Sequence, residues 1–520
     1  MKRIAVALLL FATTAFGADR KFVVLQLNDV YKIEGLENGN VGGLARIRTI
    51  RKQLEASGTP VLVLHAGDLL FPSVMSKYLN AEPMIRVLNV LDGDAAKFDE
   101  AMFVTIGNHE LEKPDPLYAL GRFAESDFRW VASNVHYCRG GDCSQTFGSR
   151  VKNVHHTAVV KVGGVAVGIF GLTTDSGASD YFRVDFDDET ARYKAVREAI
   201  AELKKNGAKL IVGLTHEDMG EDVALATKFP EVRFIVGGHD HQYGEKTVGK
   251  TRIAKGDADA KSVIVWNISV PAKGDPKITT QRLMVDTSIA KDALVDAEVQ
   301  KWMAALAQKL GPNTEIGSTK NLLEGVEPAV RGRETALGNF LADVAREWMH
   351  TDVGLMNGGG IRINDNIPPG PVRSYDMEGI FYYPNSLVSF PVTGEQLLEI
   401  LNNGVSRADQ GDGRFLQVSG VKIRYRIVDE KGEITSVMVG DKPLDPKATY
   451  TVATVDFIYN KGVGDGFTLL DAKNPAQPDE LPKPADRNGV FDYRKATEMT
   501  IESLPEKTIT TAIEGRIVRE

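Results

Sequence analysis

Thr105-Ile106-Gly107-Asn108-His109-Glu110 and, far along the chain, Gly237-Gly238-His239-Asp240-His241 decide how this sequence folds. Each follows a short apolar run, residues 102–106 in one case and 234–236 in the other, and each gathers metal-ligand residue types where the run stops. The pattern occurs three more times: residues 22–27 lead into Asn28-Asp29, 61–64 into Gly67-Asp68, and 210–214 into Thr215-His216. Short continuous apolar runs read as strands buried on both faces, and ligand residues at their C-terminal ends put a site on the rim of an α/β sheet. Strand ends are polar for solvation reasons, so one such block alone is an ordinary turn as readily as a ligand. Five in one chain point to a metal site.

A binuclear hydrolytic centre needs one carboxylate shared by two cations and about three O or N ligands on each. Asp68 is the natural bridge, because Gly67 lets the backbone turn sharply at the strand end. Asp29 and His241 would complete one side, and Asn108, His216 and His239 the other. The alternation His239-Asp240-His241 lets two imidazoles approach different members of a close cation pair. His109 would face the substrate, polarising a phosphoryl oxygen or protonating the leaving group. Nine histidines are present. Of those outside the blocks, His65 sits inside an apolar strand and reads as a satisfied core histidine. His136, His155 and His156 read as structural or surface residues.

Around these blocks the pattern alternates strand and helix, with helices expected at 43–57 and at 190–205, the latter stopped by Asn206-Gly207. Residues 289–310 form an amphipathic helix carrying Val295, Val299, Trp302, Met303, Leu306 and Leu310 on one stripe, ended by Gly311-Pro312 and read as an inter-domain connection. Beyond it a helix at 337–349 and strands at 418–426 and 449–455 indicate a second, α+β unit. The chain has 520 residues, more than one core normally accommodates. The expected division is a signal peptide at 1–18, a catalytic domain at 19–288, a linker helix at 289–312 and a substrate-binding domain at 313–520. Lys2-Arg3, an apolar stretch and a small-residue exit at Gly17-Ala18 describe that secretory signal, which implies a periplasmic or secreted protein. No later run is apolar and long enough to span a membrane. A net charge of −8 argues against a nucleic-acid polymer as partner. The only cysteines, Cys138 and Cys143, flank a Gly-Gly turn and read as a local disulfide in an exported protein.

Asn28-Asp29, Gly67-Asp68, Gly107-Asn108-His109-Glu110, Thr215-His216 and Gly238-His239-Asp240-His241 together resemble the five signature blocks of the calcineurin-like metallophosphoesterases. Gly42-Gly43-Leu44-Ala45-Arg46 narrows the resemblance to the 5′-nucleotidase family, which includes periplasmic UDP-sugar hydrolases and ecto-5′-nucleotidases. The resemblance implies an α/β chain: an N-terminal layered β-sandwich flanked by helices, joined by a helix to an α+β nucleotide-binding domain. It also implies two divalent or mixed-valence metal ions, with Zn, Mn and Fe all compatible. Two positions depart from the family. Its first block normally reads Asp-x-His, and here Tyr31 stands where the imidazole is expected. A phenolate can ligate a hard cation such as Fe³⁺, or the ring can simply pack. The acid that orients the catalytic histidine is typically Asp and here is Glu112.

Arg331-Gly332-Arg333-Glu334 with Leu337-Gly338-Asn339 resembles the start of the family's second domain, and Asn357-Gly358-Gly359-Gly360-Ile361-Arg362 its most specific block. The resemblance makes Arg331, Asn357 and Arg362 phosphate- or substrate-binding residues. It also implies two aromatic rings clamping a nucleobase. The first falls at Tyr383, while the second falls at Phe457 counting forward and at Tyr459 counting back from Asp465. The closing motif is Gly462-Val463-Gly464-Asp465-Gly466, with Asp465 facing the substrate. The implied activity is metal-dependent hydrolysis of nucleotide phosphate esters, nucleoside 5′-monophosphates first. UDP-sugars, 2′,3′-cyclic nucleotides, a thiosulfohydrolase-like reaction and a non-catalytic nucleotide- or metal-binding relative are the alternatives.

Overall fold

The computed structural model describes residues 19–113, 115–175, 180–186 and 188–520. The expected signal peptide lies outside the described residues. The first half is two sheets packed face to face. One has seven strands in the spatial order Lys277–Met284, Ser262–Val270, Arg20–Leu27, Val61–His65, Met102–Thr105, Arg129–Val131, Val154–His155. The other has six, in the order Gly244–Val248, Thr251–Lys255, Val232–Gly237, Leu210–His216, Val165–Thr173, Thr157–Val162.

Two-residue periodicity explains why these runs are apolar throughout. On Arg20–Leu27, Phe22 and Val24 enter the core between the sheets, where they meet Leu62, Leu64 and Trp266 with Val212, Leu214 and Phe234 of the facing sheet. Val23, Leu25 and Leu27 point the other way, into the helical layer with Ile47 and Ile50. The outer face of the second sheet is covered by helix Glu189–Lys205 through Val196, Ala199, Ile200 and Leu203. The five signature strands are therefore not on one sheet. Three belong to the first sheet and two to the second, so the site lies at the mouth between the layers. Gln26 stitches that mouth from beneath, donating to Gly237 O and Ala254 O at 3.0 Å and accepting from Trp266 Nε1 at 2.7 Å.

Helix Leu44–Ala56 lies within the expected 43–57 stretch. The helix expected at 289–310 starts later, at Ala293, because the Asp292 carboxylate accepts the backbone N–H groups of Leu294 and Val295 and caps it there. Its stripe packs against the helical layer of the first half through Val295, Val299 and Leu306. Cys138 and Cys143 are disulfide-bonded across the hairpin of Val135–Arg139 and Asp142–Thr146.

The second half has a four-stranded sheet, Leu387–Thr393, Thr449–Val455, Val353–Asn357 and Leu416–Ser419 in that order, backed by helix Ala336–Met349. The strand expected at 418–426 is broken at Gly420, whose φ is +75° and where a Cβ would come within 2.0 Å of Asp352 O. That break passes the chain from Leu416–Ser419 into Val421–Val428 of a second four-stranded sheet. Among the described residues no helix is long and apolar enough to cross a membrane.

Candidate functional site

Asp29, Asp68, His239 and His241 have φ values of 50°, 54°, 82° and 58°. Non-glycine residues in this left-handed region cost about 1–3 kcal/mol each and persist only where their surroundings hold them. At Asp68 the holding is done by Glu110. Its buried carboxylate accepts the backbone N–H groups of Asp68 at 2.9 Å, Leu69 at 2.8 Å, Leu70 at 2.9 Å and Gly107 at 2.6 Å. Burial, and then the nearby Asp68, push the Glu110 carboxyl up to about 7, against the pull of those N–H groups. Gly107 is required by space rather than by φ, since a Cβ there would lie 2.1 Å from Asp68 Oδ1.

The ligand atoms form two groups that share Asp68. Asp68 Oδ2 lies 3.0 Å from the Tyr31 hydroxyl and 3.0 Å from His216 Nε2. On one side, His241 Nε2 is 3.3 Å from Asp29 Oδ1 and 3.2 Å from the Tyr31 hydroxyl. On the other, His216 Nε2 is 3.1 Å from Asn108 Oδ1 and 3.3 Å from His239 Nδ1. All seven residues expected from sequence are thus brought together, Tyr31 included. His216 donates Nδ1–H to Ala66 O at 2.7 Å, which turns Nε2 toward the cluster.

These residues fit divalent cations. Asp29 Oδ1 is buried without a hydrogen bond, with His241 Nε2 beside it at 3.3 Å, although Asp29 Oδ2 accepts from Asn28 Nδ2 and from the His239 N–H. Donor atoms of Asp29, Asp68 and His216 lie within 4.8 Å of one another. A buried carboxylate oxygen without a donor is costly unless a cation meets it, and a mixed carboxylate, amide and imidazole set suits Zn²⁺, Mn²⁺ or iron. The charges lean on one another strongly. Burial alone would lower His216, but Asp68 and Asp29 outweigh it and the imidazole titrates at about 10. His241 is carried to about 9 by Glu327 and Asp29 against the same burial.

His109 lies on the open side of the cluster. Its backbone N–H donates to Asp68 Oδ1 at 3.0 Å, and its Nδ1 is 2.7 Å from Glu112 Oε2. Glu112 therefore takes the orienting place expected of the shorter Asp. Burial disfavours the imidazolium, but Asp68 and Glu112 more than compensate and raise His109 above its ordinary value, with Arg362 opposing them.

From the second domain, Glu327, Arg331 and Arg362 reach this face. Arg331 pairs with Glu327, and the Arg362 guanidinium stands 5.9 Å from the Tyr383 ring centre. Asn357 ends strand Val353–Asn357 with its Oδ1 buried and unpartnered. Tyr383 and Phe457 are each 41% exposed. Tyr459 is buried, packs on Phe390 and donates its hydroxyl to Pro478 O at 2.7 Å, so it belongs to the core, whereas Phe457 is exposed. Asp465 is half-buried, its carboxyl raised by burial and by Asp412.

His65 departs from expectation. It is fully buried, but neither ring nitrogen has a hydrogen-bond partner, and burial holds the ring neutral with a pKa of about 4. His136 and His156 lie outside the site, paired with Asp185 and Glu202. Sequence reading gave no role to Glu110, Glu327 or Asp259. The spacing of Glu327 to Arg331 is that of an ordinary i,i+4 helix pair, so only its neighbours in space distinguish it.

Residues 22–243 match the family model of calcineurin-like phosphoesterases, and residues 315–472 that of the 5′-nucleotidase C-terminal domain. A snake venom 5′-nucleotidase from Naja atra is 26% identical over 92% of this chain and 93% of its own. The crystal structure of a 5′-nucleotidase precursor from Thermus thermophilus is 26% identical and superposes with a TM-score of 0.75, covering 96% of this chain and 99% of that one. A sulfate thiohydrolase from Thermus thermophilus shares the fold at a TM-score of 0.68 and 18% identity, covering 96% of each chain.

Proposed function

We propose that this chain, which belongs to the 5′-nucleotidase family of calcineurin-like metallophosphoesterases, releases phosphate from nucleoside 5′-monophosphates. The observation that carries the proposal is the meeting of two half-sites. The paired ligand groups sharing Asp68 lie in the first domain, and Arg331, Arg362 and Tyr383 of the second face them. A substrate that uses both must have a phosphate at one end and an aromatic group at the other.

Asp29, Tyr31, Asp68 and His241 would hold one cation, and Asp68, Asn108, His216 and His239 the other. Such a pair supplies Lewis acidity toward phosphoryl oxygens and lowers the pKa of an attacking water. The protein's own groups do the rest. Glu112 fixes the His109 ring through Nδ1, so Nε2 faces the reacting phosphate and stabilises the charge that develops on it. Arg331 and Arg362 bind phosphate oxygens with planar guanidinium forks. Tyr383 and Phe457 offer faces to a base, and Asp465 and Asn357 supply polar contacts to the nucleoside. UDP-sugars and 2′,3′-cyclic nucleotides carry the same two features and are the nearest competing substrates. The bonded Cys138–Cys143 pair supports a place outside the reducing cytosol, with residues 1–18 as the export signal.

Phosphate release measured across nucleoside 5′-monophosphates, UDP-sugars and 2′,3′-cyclic nucleotides, with metal analysis of the same sample, tests this reading. Nucleoside monophosphates should give the highest kcat/KM with two cations per chain. Release from UDP-sugars alone would assign the site to a different substrate, and a metal-free, inactive protein would remove the hydrolytic reading.

A further inference from the structure

His241 is held firmly on one side only. Its Nε2 faces Asp29 and Tyr31, whereas its Nδ1 has no hydrogen-bond partner and meets Glu327 Oε2 at 3.4 Å, an ion-pair distance just beyond a good hydrogen bond. A histidine that ligates through one nitrogen needs the proton on the other held by an acceptor, which fixes the tautomer and the ring plane. The acid in position to do this is carried by the second domain, while Asp29, Tyr31 and His241 are carried by the first.

Glu327 is set in place by a chain of contacts that begins at the ligands themselves. Asp259 Oδ1 accepts the backbone N–H groups of Tyr31 at 2.8 Å and Lys32 at 3.0 Å, and the Asp259 N–H donates to Asp29 O at 2.8 Å. Asp259 Oδ2 accepts from Asn364 Nδ2 at 3.0 Å across the domain boundary. Asn364 Oδ1 then accepts the backbone N–H of Glu327 at 3.1 Å. Beside this path Lys32 pairs with Asp365 at 2.8 Å. The circuit runs from the loop of Asp29 and Tyr31 through Asp259, Asn364 and Glu327 back to His241, and it closes only when the domains are seated.

We propose that Glu327, placed by Asn364, is the positioning residue for His241, so that cation retention on the Asp29–Tyr31–His241 side depends on the second domain being seated against the first. The inference rests on reading those three residues as cation ligands. Linkage makes it reciprocal: a cation on that side favours the seated arrangement by the same factor.

The test is a Mn²⁺ titration of the full chain, freed of metal, against a chromogenic chelator. Wild type should take up two equivalents. Glu327→Ala should weaken one of them by about 10- to 100-fold, the usual effect of losing a ligand's outer partner, and leave the other unchanged. Glu327→Gln, which keeps an acceptor, should recover part of the loss, and Asn364→Ala should weaken the same equivalent less severely. His241→Ala identifies which equivalent is at stake. Superimposable titrations for Glu327→Ala and wild type, or equal weakening of both equivalents, overturn the proposal and leave the ligand reading standing. A His241→Ala chain that keeps both equivalents at full strength overturns the ligand reading itself.

Discussion

Removing the Tyr383 ring separates the binding of a nucleoside from the chemistry at phosphorus. The ring is 41% exposed. Part of it is already covered, because Tyr382 packs edge-on at 5.1 Å between centroids and the Arg362 guanidinium lies 5.9 Å from its centre. Base stacking on an aromatic side chain contributes about 1–3 kcal/mol. With the ring partly covered, the lower part of that range applies, about 1–2 kcal/mol. At about 1.4 kcal/mol per decade, Tyr383→Ala should lower kcat/KM for a nucleoside 5′-monophosphate roughly 5- to 30-fold. The assay is phosphate release, run in parallel on p-nitrophenyl phosphate, which has no base and should change less than about twofold. Equal losses on both substrates would mean that the ring supports the fold or the phosphate site. No loss on either would remove Tyr383 from the pocket, and with it the case that the second domain reads a nucleoside.

Asp68→Ala should lose both cations at once, because Asp68 Oδ2 faces the Tyr31 and the His216 sides equally at 3.0 Å; full activity with a single tightly held metal in wild type would defeat the shared-ligand arrangement. Tyr31→Phe should weaken cation binding on the His241 side and, in iron-loaded protein, abolish a visible phenolate-to-iron band. A colourless protein indifferent to that change would leave Tyr31 as a packing residue. Glu110→Ala strands the four N–H groups it accepts, at about 1 kcal/mol or more each, so unfolding of the metal-free protein should lose about 4 kcal/mol. A denaturant midpoint close to wild type would show that solvent takes over those donors.

Much of the fold was legible because buried strands announce themselves. The runs before Asp29, Asp68, Asn108, His216 and His239 are apolar on both faces, and both faces are covered in the structure. Their division between two sheets was not legible, since periodicity reports burial and not which neighbour a strand pairs with. Helix ends were legible where glycine or asparagine stops the pattern. At Ala293 the start was set by the Asp292 carboxylate, a single polar contact that apolar spacing does not register. At Gly420 a close approach to Asp352 O ended a strand that the apolar pattern carries straight through.

The site divides along the same line. Residues that touch the cluster through their own side chains sit in compact blocks, so a block-by-block reading collects them. Residues that act on the cluster through another group carry no signal of that role. Glu110 was read as one letter of a motif although it fixes four backbone amides, and Asp259, Asn364 and Glu327 lie in three separate stretches with no pattern among them. Their arrangement also gives the Tyr31 departure a physical setting. The phenol that replaces an expected imidazole meets His241 Nε2 at 3.2 Å, and the other nitrogen of the same His241 faces Glu327 of the second domain. The side of the centre with the fewest imidazoles is therefore the side nearest the domain boundary. On the proposed reading, a phenol there would make that side depend more on whatever orients its remaining histidine, which would tie cation retention to the seating of the second domain.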